Sequence, residues 1–533
     1  MPNEPSPPSS GAANQFPQNK LARVRKLRLA GDLTAARALS DEILATHPQH
    51  SGALIQRSRL ESADDNYRKA REYILAAYRA GVSGKLAYLL LLRRLRIFNL
   101  VAELRDVVAK LPPEIATDAE VALLVSRLFA SINDPQSALE SASRAVAEHA
   151  DSADLHAATG LALLNLGRFE DAESRFRDSL RIEPGHAGAW WQLSRLPGQR
   201  SGKHELDELR RELSRADNPR ATAMLAFALH RNLDGLGDYA GATEALALAC
   251  SSMRKTVEYD PKEDERLFSA LKALPTDSGR NEGFQDTPFT PVFIVGMHRS
   301  GTTLLEHMLA GHGDILSGGE LYDFTSQLRF AADHHCSTEL DLDIVEASGD
   351  FDYAAIGKGY VDAVEWRRAG ERFVTDKLPS NFLNIGFILR ALPGAKILHM
   401  SRDPMETCFS NLREPFSENT CRYSYDLDEL AAYYRQYFSL MQHWRQRFPG
   451  RIHDVTYTAL ATDPASELRR VASYLGIEYQ PSMLETHSRT RSVSTASAVQ
   501  VRQKPSLPLQ PKWQHYREYL TPMEWRLSSV GQR

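Results

Sequence analysis

A phase of 34 residues runs through the first half of the chain and constrains its fold more than any single motif does. The clearest unit starts at Ala153, ADLHAATGLALLNLGRFEDAESRFRDSLRIEPGH, with Gly160, Ala172 and Phe176 inside two helix-forming stretches and Pro184 behind the second. Small residues let two helices cross closely, and proline ends the second helix. Units in the same phase start at 17, 51, 85 and 119, and another at 187. Ala36 with Pro48, Ala70 with Ala77, and Ala138 with Ala145 mark the earlier units, and Trp190 takes the aromatic position of the last. The unit from Lys85 keeps the pattern poorly. The unit from Ala187 loses it after SRLPGQRSGK, and a shifted unit returns around LGDYAGATEALALA. Helical periodicity from about Pro17 to Asp260 therefore predicts stacked helix pairs.

The unit resembles the tetratricopeptide repeat. That resemblance implies an all-α repeat domain over 17–274 with a concave surface for a protein or peptide partner. Residues 1–16, rich in Pro and Ser, read as a disordered tail rather than a signal peptide. The run LAYLLLL, Leu86–Leu92, is far shorter than a membrane span and precedes Arg93 and Arg94, so it predicts a buried helix.

Composition adds bounds. A hydrophobic content of 42% and a net charge of −4 over 533 residues describe a soluble chain of several domains with no general basic bias towards nucleic acid, so an anion site must be local. Cys250, Cys336, Cys408 and Cys421 stand apart without paired spacing, which points to neither disulfides nor zinc and suggests a reducing, cytoplasmic setting. The adjacent histidines of DHHCS, 333–337, do not have metal-ligand spacing.

A breaker-rich stretch, PTDSGRNEGFQDTPFTP, marks a boundary, with a linker at 275–290 and a second domain over 291–533. Beyond it PVFIVG, RFVTD, AKILHMS and RIHDVTY each precede a loop and a helical stretch. That alternation predicts an α/β domain with a central parallel sheet and sites at the carboxyl ends of the strands, and the glycine loop after its first strand gives it a P-loop type.

The first of these strands leads into GMHRSGTT, 296–303. A strand, a glycine loop and a helix starting near Gly301 aim backbone N–H groups at one point and suit a phosphate-like anion. Arg299, Ser300, Thr302 and Thr303 add donors. The spacing is that of a Walker loop with Thr302 in place of its lysine. A triphosphate and its Mg²⁺ call for that lysine; a less charged group can be held by arginine, hydroxyls and amides.

FIVGMHRSGTTLLEHML resembles the 5′-phosphosulfate loop of sulfotransferases that use 3′-phosphoadenosine 5′-phosphosulfate (PAPS), most closely the tyrosylprotein type. KILHMSRDPMETCFSNLR resembles the family's second element, which implies that Arg402 and Ser410 grip the 3′-phosphate. Residues Arg299, Ser300, Gly301, Thr302 and Thr303 would then hold the 5′ side. By the same resemblance Glu320 in SGGELYDF is the catalytic base, and Lys377 in VTDKLPSNF meets the bridging oxygen of the donor beside Arg299. VTYTAL implies a nucleotide contact at Tyr457, TASAVQV one at Ser497, and PKWQHY one at Lys512.

The expected reaction is sulfuryl transfer from PAPS to an acceptor hydroxyl, with PAP (3′,5′-adenosine bisphosphate) as product and no metal. The hydroxyl could belong to a tyrosine on a protein held by the repeats, to a sugar or to a small metabolite. His298 departs from the family's usual proline, and a single acid follows Gly319. Alternatives are a P-loop kinase and a repeat scaffold carrying a degenerate nucleotide-binding domain.

Overall fold

The computed structural model describes residues 10–198, 202–275, 283–417, 419–485, 499 and 510–528. The chain forms two compact units, one of 1–124 with 328–335 and one of 125–327 with 336–533.

In the first unit the helices Leu33–Thr46, Ser51–Ala63, Tyr67–Ala80, Lys85–Ile97 and Val101–Ala109 follow one another in hairpins. Leu89, Leu91 and Leu92 of the apolar run are buried as the sequence suggests, although Leu86 is exposed. The first helix, Ser10–Leu29, starts before position 17, so 10–16 are helical where composition suggests a tail; residues 1–9 lie outside the described set. The histidines of DHHCS serve the packing of this unit. Asp65 Oδ2 meets His334 Nδ1 at 2.5 Å, and Asp65 Oδ1 accepts the His335 N–H at 2.7 Å.

Helices begin at Ser51, Lys85, Ala119, Ala153 and Ala187, the starts set by the sequence phase. A second regularity accompanies them. Gly31, Asp65, Asn99, Asn133 and Gly167 all have positive φ, between 52° and 82°, and join the two helices of successive units. Only Gly, Asn and Asp enter that backbone region at low cost. Side chains cap the next helices: Asp134 accepts from Ser137 N–H and Ser152 from Leu155 N–H. Gly160 is required by contact, since a Cβ there would stand 2.6 Å from the Phe176 ring.

The second unit contains the later repeat helices, from Pro135–Glu148 to Pro261–Lys272, and the α/β domain. Five strands, β1 (Thr290–Val295), β2 (Ile315–Ser317), β3 (Phe373–Asp376), β4 (Lys396–Ser401) and β5 (Ile452–Thr456), form one parallel sheet in the order β2-β3-β1-β4-β5. Val292 stands level with Thr375, Ile294 with Leu398 and Met400 with Val455. β3 and most of β1 and β4 are buried throughout, as parallel strands covered by helices must be. Phe293 packs on Tyr360 and Phe324 at centroid distances of 5.4 and 5.9 Å, anchoring β1 to the layer beneath. The protein is thus a tetratricopeptide-like helical repeat region followed by an α/β domain. Four strands match the sequence expectation, and β2, three residues long, is an addition. Residues 276–282 of the expected linker lie outside the described set. Among the described residues no helix is long and apolar enough to cross a membrane.

Candidate active site

Parallel strands bring their carboxyl ends to one edge of the sheet, and here each end passes directly to a residue singled out from the sequence. β1 leads into Gly296–Thr303, β2 into Gly318–Glu320, β3 into Lys377, β4 into Arg402 and β5 into Tyr457.

The loop after β1 is shaped by contacts that exclude side chains. Gly296 (φ 154°) passes so near β4 that a Cβ would lie 2.4 Å from Met400 O, and its N–H donates to Pro379 O at 3.1 Å. At Gly301 (φ 110°) a Cβ would lie 2.9 Å from both the Met400 methyl and the Tyr457 ring. Arg299 also takes a positive φ, 70°, which costs a non-glycine residue about 1–3 kcal/mol and makes this loop a strained one. Gly301 gives the following helix, Thr302–Leu309, no side-chain cap. Its first N–H groups therefore face the loop with the positive end of the helix dipole. Ser300 is 1% exposed and its hydroxyl has no protein partner, an arrangement that costs about 1–3 kcal/mol unless a ligand or water supplies one.

Arg299 Nε donates to Ser410 Oγ at 3.2 Å, so the loop arginine meets the helix Pro404–Leu412 that follows β4. Burial lowers the pKa of the Arg299 guanidinium, Glu414 opposes this, and Arg195, Arg402 and Arg413 add to it. The site is therefore rich in cations. Arg402, at the end of β4, pairs with Glu406 and lies 4.4 Å from the centre of the Tyr457 ring. The same ring closes over Gly301, so Tyr457 links the ends of β4 and β5 to the loop.

Glu320 and Lys377 form the second half of the site. Lys377 Nζ donates to Glu320 Oε1 at 2.7 Å; the lysine side chain is completely buried and the glutamate 29% exposed. The Glu320 loop is held from beneath, because Glu306 Oε1 accepts from Gly319 N–H at 2.9 Å and from Thr375 Oγ at 2.8 Å. The Lys377 N–H adds a bond to Gly319 O at 2.9 Å. Burial pushes the His298 imidazole down to about 4, with Glu320 opposing and Lys377 and Arg299 contributing, so it is neutral near pH 7. Its carbonyl accepts from Asn411 Nδ2 at 2.6 Å, and its ring lies 5.9 Å from Phe416.

Of the twelve residues singled out from the sequence, Ser497 lies outside the described set. Lys512 meets the repeat region, its ammonium binding Asp234 Oδ2 of a repeat helix at 2.5 Å. Arg413 shares that carboxylate at 2.9 Å and Tyr516 OH at 2.6 Å. The remaining ten gather at the carboxyl edge of the sheet. Sequence reasoning missed Glu306, Arg195 and Asn133. A cavity of about 360 Å³ opens over the site, lined by His298, Arg299, Glu320 and Phe416 and, from the repeat helices, by Trp191 and Arg195.

Residues 291–481, which contain this edge, match the sulfotransferase family model. Among individual relatives, an uncharacterized protein of Aquifex aeolicus (strain VF5) is 28% identical over 371 residues, 68% of this chain and 48% of its own length. The chain thus spans about half of that relative. A putative protein-tyrosine sulfotransferase of Caenorhabditis briggsae is 24% identical over 196 residues, 37% of this chain and 69% of that protein. Among solved structures, the sulfotransferase domain from the curacin biosynthetic pathway is 18% identical with a TM-score of 0.28, over 44% of this chain and 98% of that domain.

Proposed function

We propose that the chain transfers the sulfuryl group of PAPS to an acceptor hydroxyl, releasing PAP. The observation that carries this reading is the Glu320–Lys377 contact of 2.7 Å beside the strained, cation-rich loop at Arg299. The residues present fit the donor: the unpartnered Ser300 hydroxyl, the uncapped helix start and the side-chain-free approaches at Gly296 and Gly301 form a cradle for an anion. Arg402 and Ser410 are the residues for the 3′-phosphate, and Tyr457 is a neighbour for the nucleotide.

Glu320 accepts the acceptor's proton as that oxygen bonds to sulfur, and the electron pair of the broken sulfur–oxygen bond stays on the phosphate oxygen. Lys377 and Arg299 stabilise the charge that develops there, the kind of electrostatic effect that dominates group transfer. The Glu320 carboxylate lines the cavity beside Lys377, which supports its role as the proton acceptor, whereas His298 serves the loop through its carbonyl bond to Asn411. The acceptor's class, and a peptide carried on the repeat surface, belong to this proposal.

The kinase reading asks for a lysine where Thr302 stands. A calorimetric titration separates the two: PAP is expected to bind and raise the melting temperature, and ATP with Mg²⁺ to do neither. Stabilisation by ATP and Mg²⁺ with no response to PAP overturns the sulfotransferase reading. ³⁵S transfer from labelled PAPS into candidate acceptors then identifies the hydroxyl.

A further inference from the structure

The repeat region reaches the candidate active site with a side chain of its own. At position 133 the left-handed turn asks only for Gly, Asn or Asp, and equivalent turns carry Gly31, Asp65, Asn99 and Gly167. Nothing in that turn requires an amide. Yet Asn133 Nδ2 donates to the main-chain oxygen of Glu320 at 3.0 Å. Gly319, with φ 72°, passes so close that a Cβ there would stand 2.7 Å from Asn133 Cγ. The loop is thus gripped between Glu306 on one side and a repeat turn on the other. Nearby repeat helices line the same cavity with Trp191 and Arg195.

We infer that Asn133 is a positioning residue, holding the Gly318–Glu320 loop so that the Glu320 carboxylate stays against Lys377 and faces the cavity. This rests on the reading of Glu320 as the base. It makes the repeats part of the transfer site, with the acceptor entering against a wall that they supply.

Asn133→Asp and Asn133→Gly both keep the left-handed backbone. The first sets carboxylate oxygens against the Glu320 carbonyl and the second removes the side chain. Amide hydrogen exchange in the intact protein reads the loop directly. Residues 318–322 are expected to exchange several-fold faster in both variants, with the helix Pro135–Glu148 and the melting temperature unchanged. Kinetics with ³⁵S-PAPS and 4-nitrophenol as probe acceptor are expected to show kcat lower by about tenfold or more, since small misplacement of a catalytic group is costly. The Kd for PAP by calorimetry is expected to hold.

Unchanged loop exchange, or an unchanged kcat, overturns the inference. So does a parallel loss of melting temperature and PAP binding, which would make the contact merely structural. If the wild type fails to bind PAP, the sulfuryl-transfer reading falls instead, and the exchange measurement still decides whether Asn133 holds the loop. If 4-nitrophenol is not turned over, loop exchange alone decides: faster exchange in both variants supports the inference, and unchanged exchange overturns it.

Discussion

Lys377 and Glu320 meet at 2.7 Å across the ends of two adjacent parallel strands, with the ammonium completely buried and the carboxylate partly open to the cavity. The asymmetry matters, because the lysine has given up water and depends on the glutamate for its charge partner. Glu320→Gln keeps the shape and removes both the proton acceptor and the counter-charge. Turnover is expected to fall about 10²–10⁴-fold, with PAP affinity retained and the melting temperature lowered. Steady-state kinetics, calorimetry and thermal unfolding check the three parts separately.

Ser300→Ala separates stability from binding. The hydroxyl is buried without a protein partner, so its removal relieves a desolvation cost, and the variant is expected to be as stable as wild type or more so, by about 1 kcal/mol. PAP binding is expected to weaken. Urea unfolding and calorimetry would measure these opposite signs, and a fall in stability would show that the hydroxyl serves the fold.

Tyr457→Ala removes the ring that covers Gly301 and flanks Arg402 at 4.4 Å. Stacked cation–aromatic pairs contribute about 0.5–2 kcal/mol, so PAP affinity is expected to drop by about twofold to thirtyfold. Tyr457→Phe should keep the affinity, since Arg402 meets the face of the ring. A titration of both variants checks the pair.

The helical repeats are tied to the α/β domain by Asp234, which binds Arg413, Lys512 and Tyr516. Burial favours its neutral form, but Arg413 and Lys512 outweigh that and hold the carboxyl well below the usual carboxylate range. A depressed pKa gives stability that is present above the unfolded value, near 3.9, and is lost as pH falls below it. Wild type is therefore expected to exceed Asp234→Asn in stability at pH 7, with the difference shrinking below about pH 4. Chemical unfolding across that range checks the sign.

Legibility in the sequence followed the range of the interactions. The helix starts at Ser51, Ala153 and Ala187 were readable because each unit repeats the same local packing, as Gly160 against Phe176 shows. The turn row at Gly31, Asp65, Asn99, Asn133 and Gly167 was equally present as a spacing of Gly, Asp and Asn, a signal that could have been used. β2 was too short to have a period. Glu306 looks like an ordinary helix acid until tertiary structure places Gly319 and Thr375 against it. Lys512 takes its nucleotide role from the resemblance of a short word, and nothing local in the sequence points to the bond it makes with Asp234, far away along the chain. The meeting of Glu320 with Lys377 was approachable only through family resemblance, since their approach depends on strand order rather than local spacing.

Because Arg299, Glu320, Lys377, Arg402 and Tyr457 each hang from the end of a different strand, the site is sensitive to chain length in an uneven way. Deleting one residue within a strand would retract its terminal group by about 3.3 Å and turn it to the opposite face of the sheet. The other four groups would stay in place. Length variation is thus tolerable in the helices that return the chain to the start of each strand and not in the strands. A library of single-residue deletions scored for sulfuryl transfer would be expected to leave five short gaps, one along each strand.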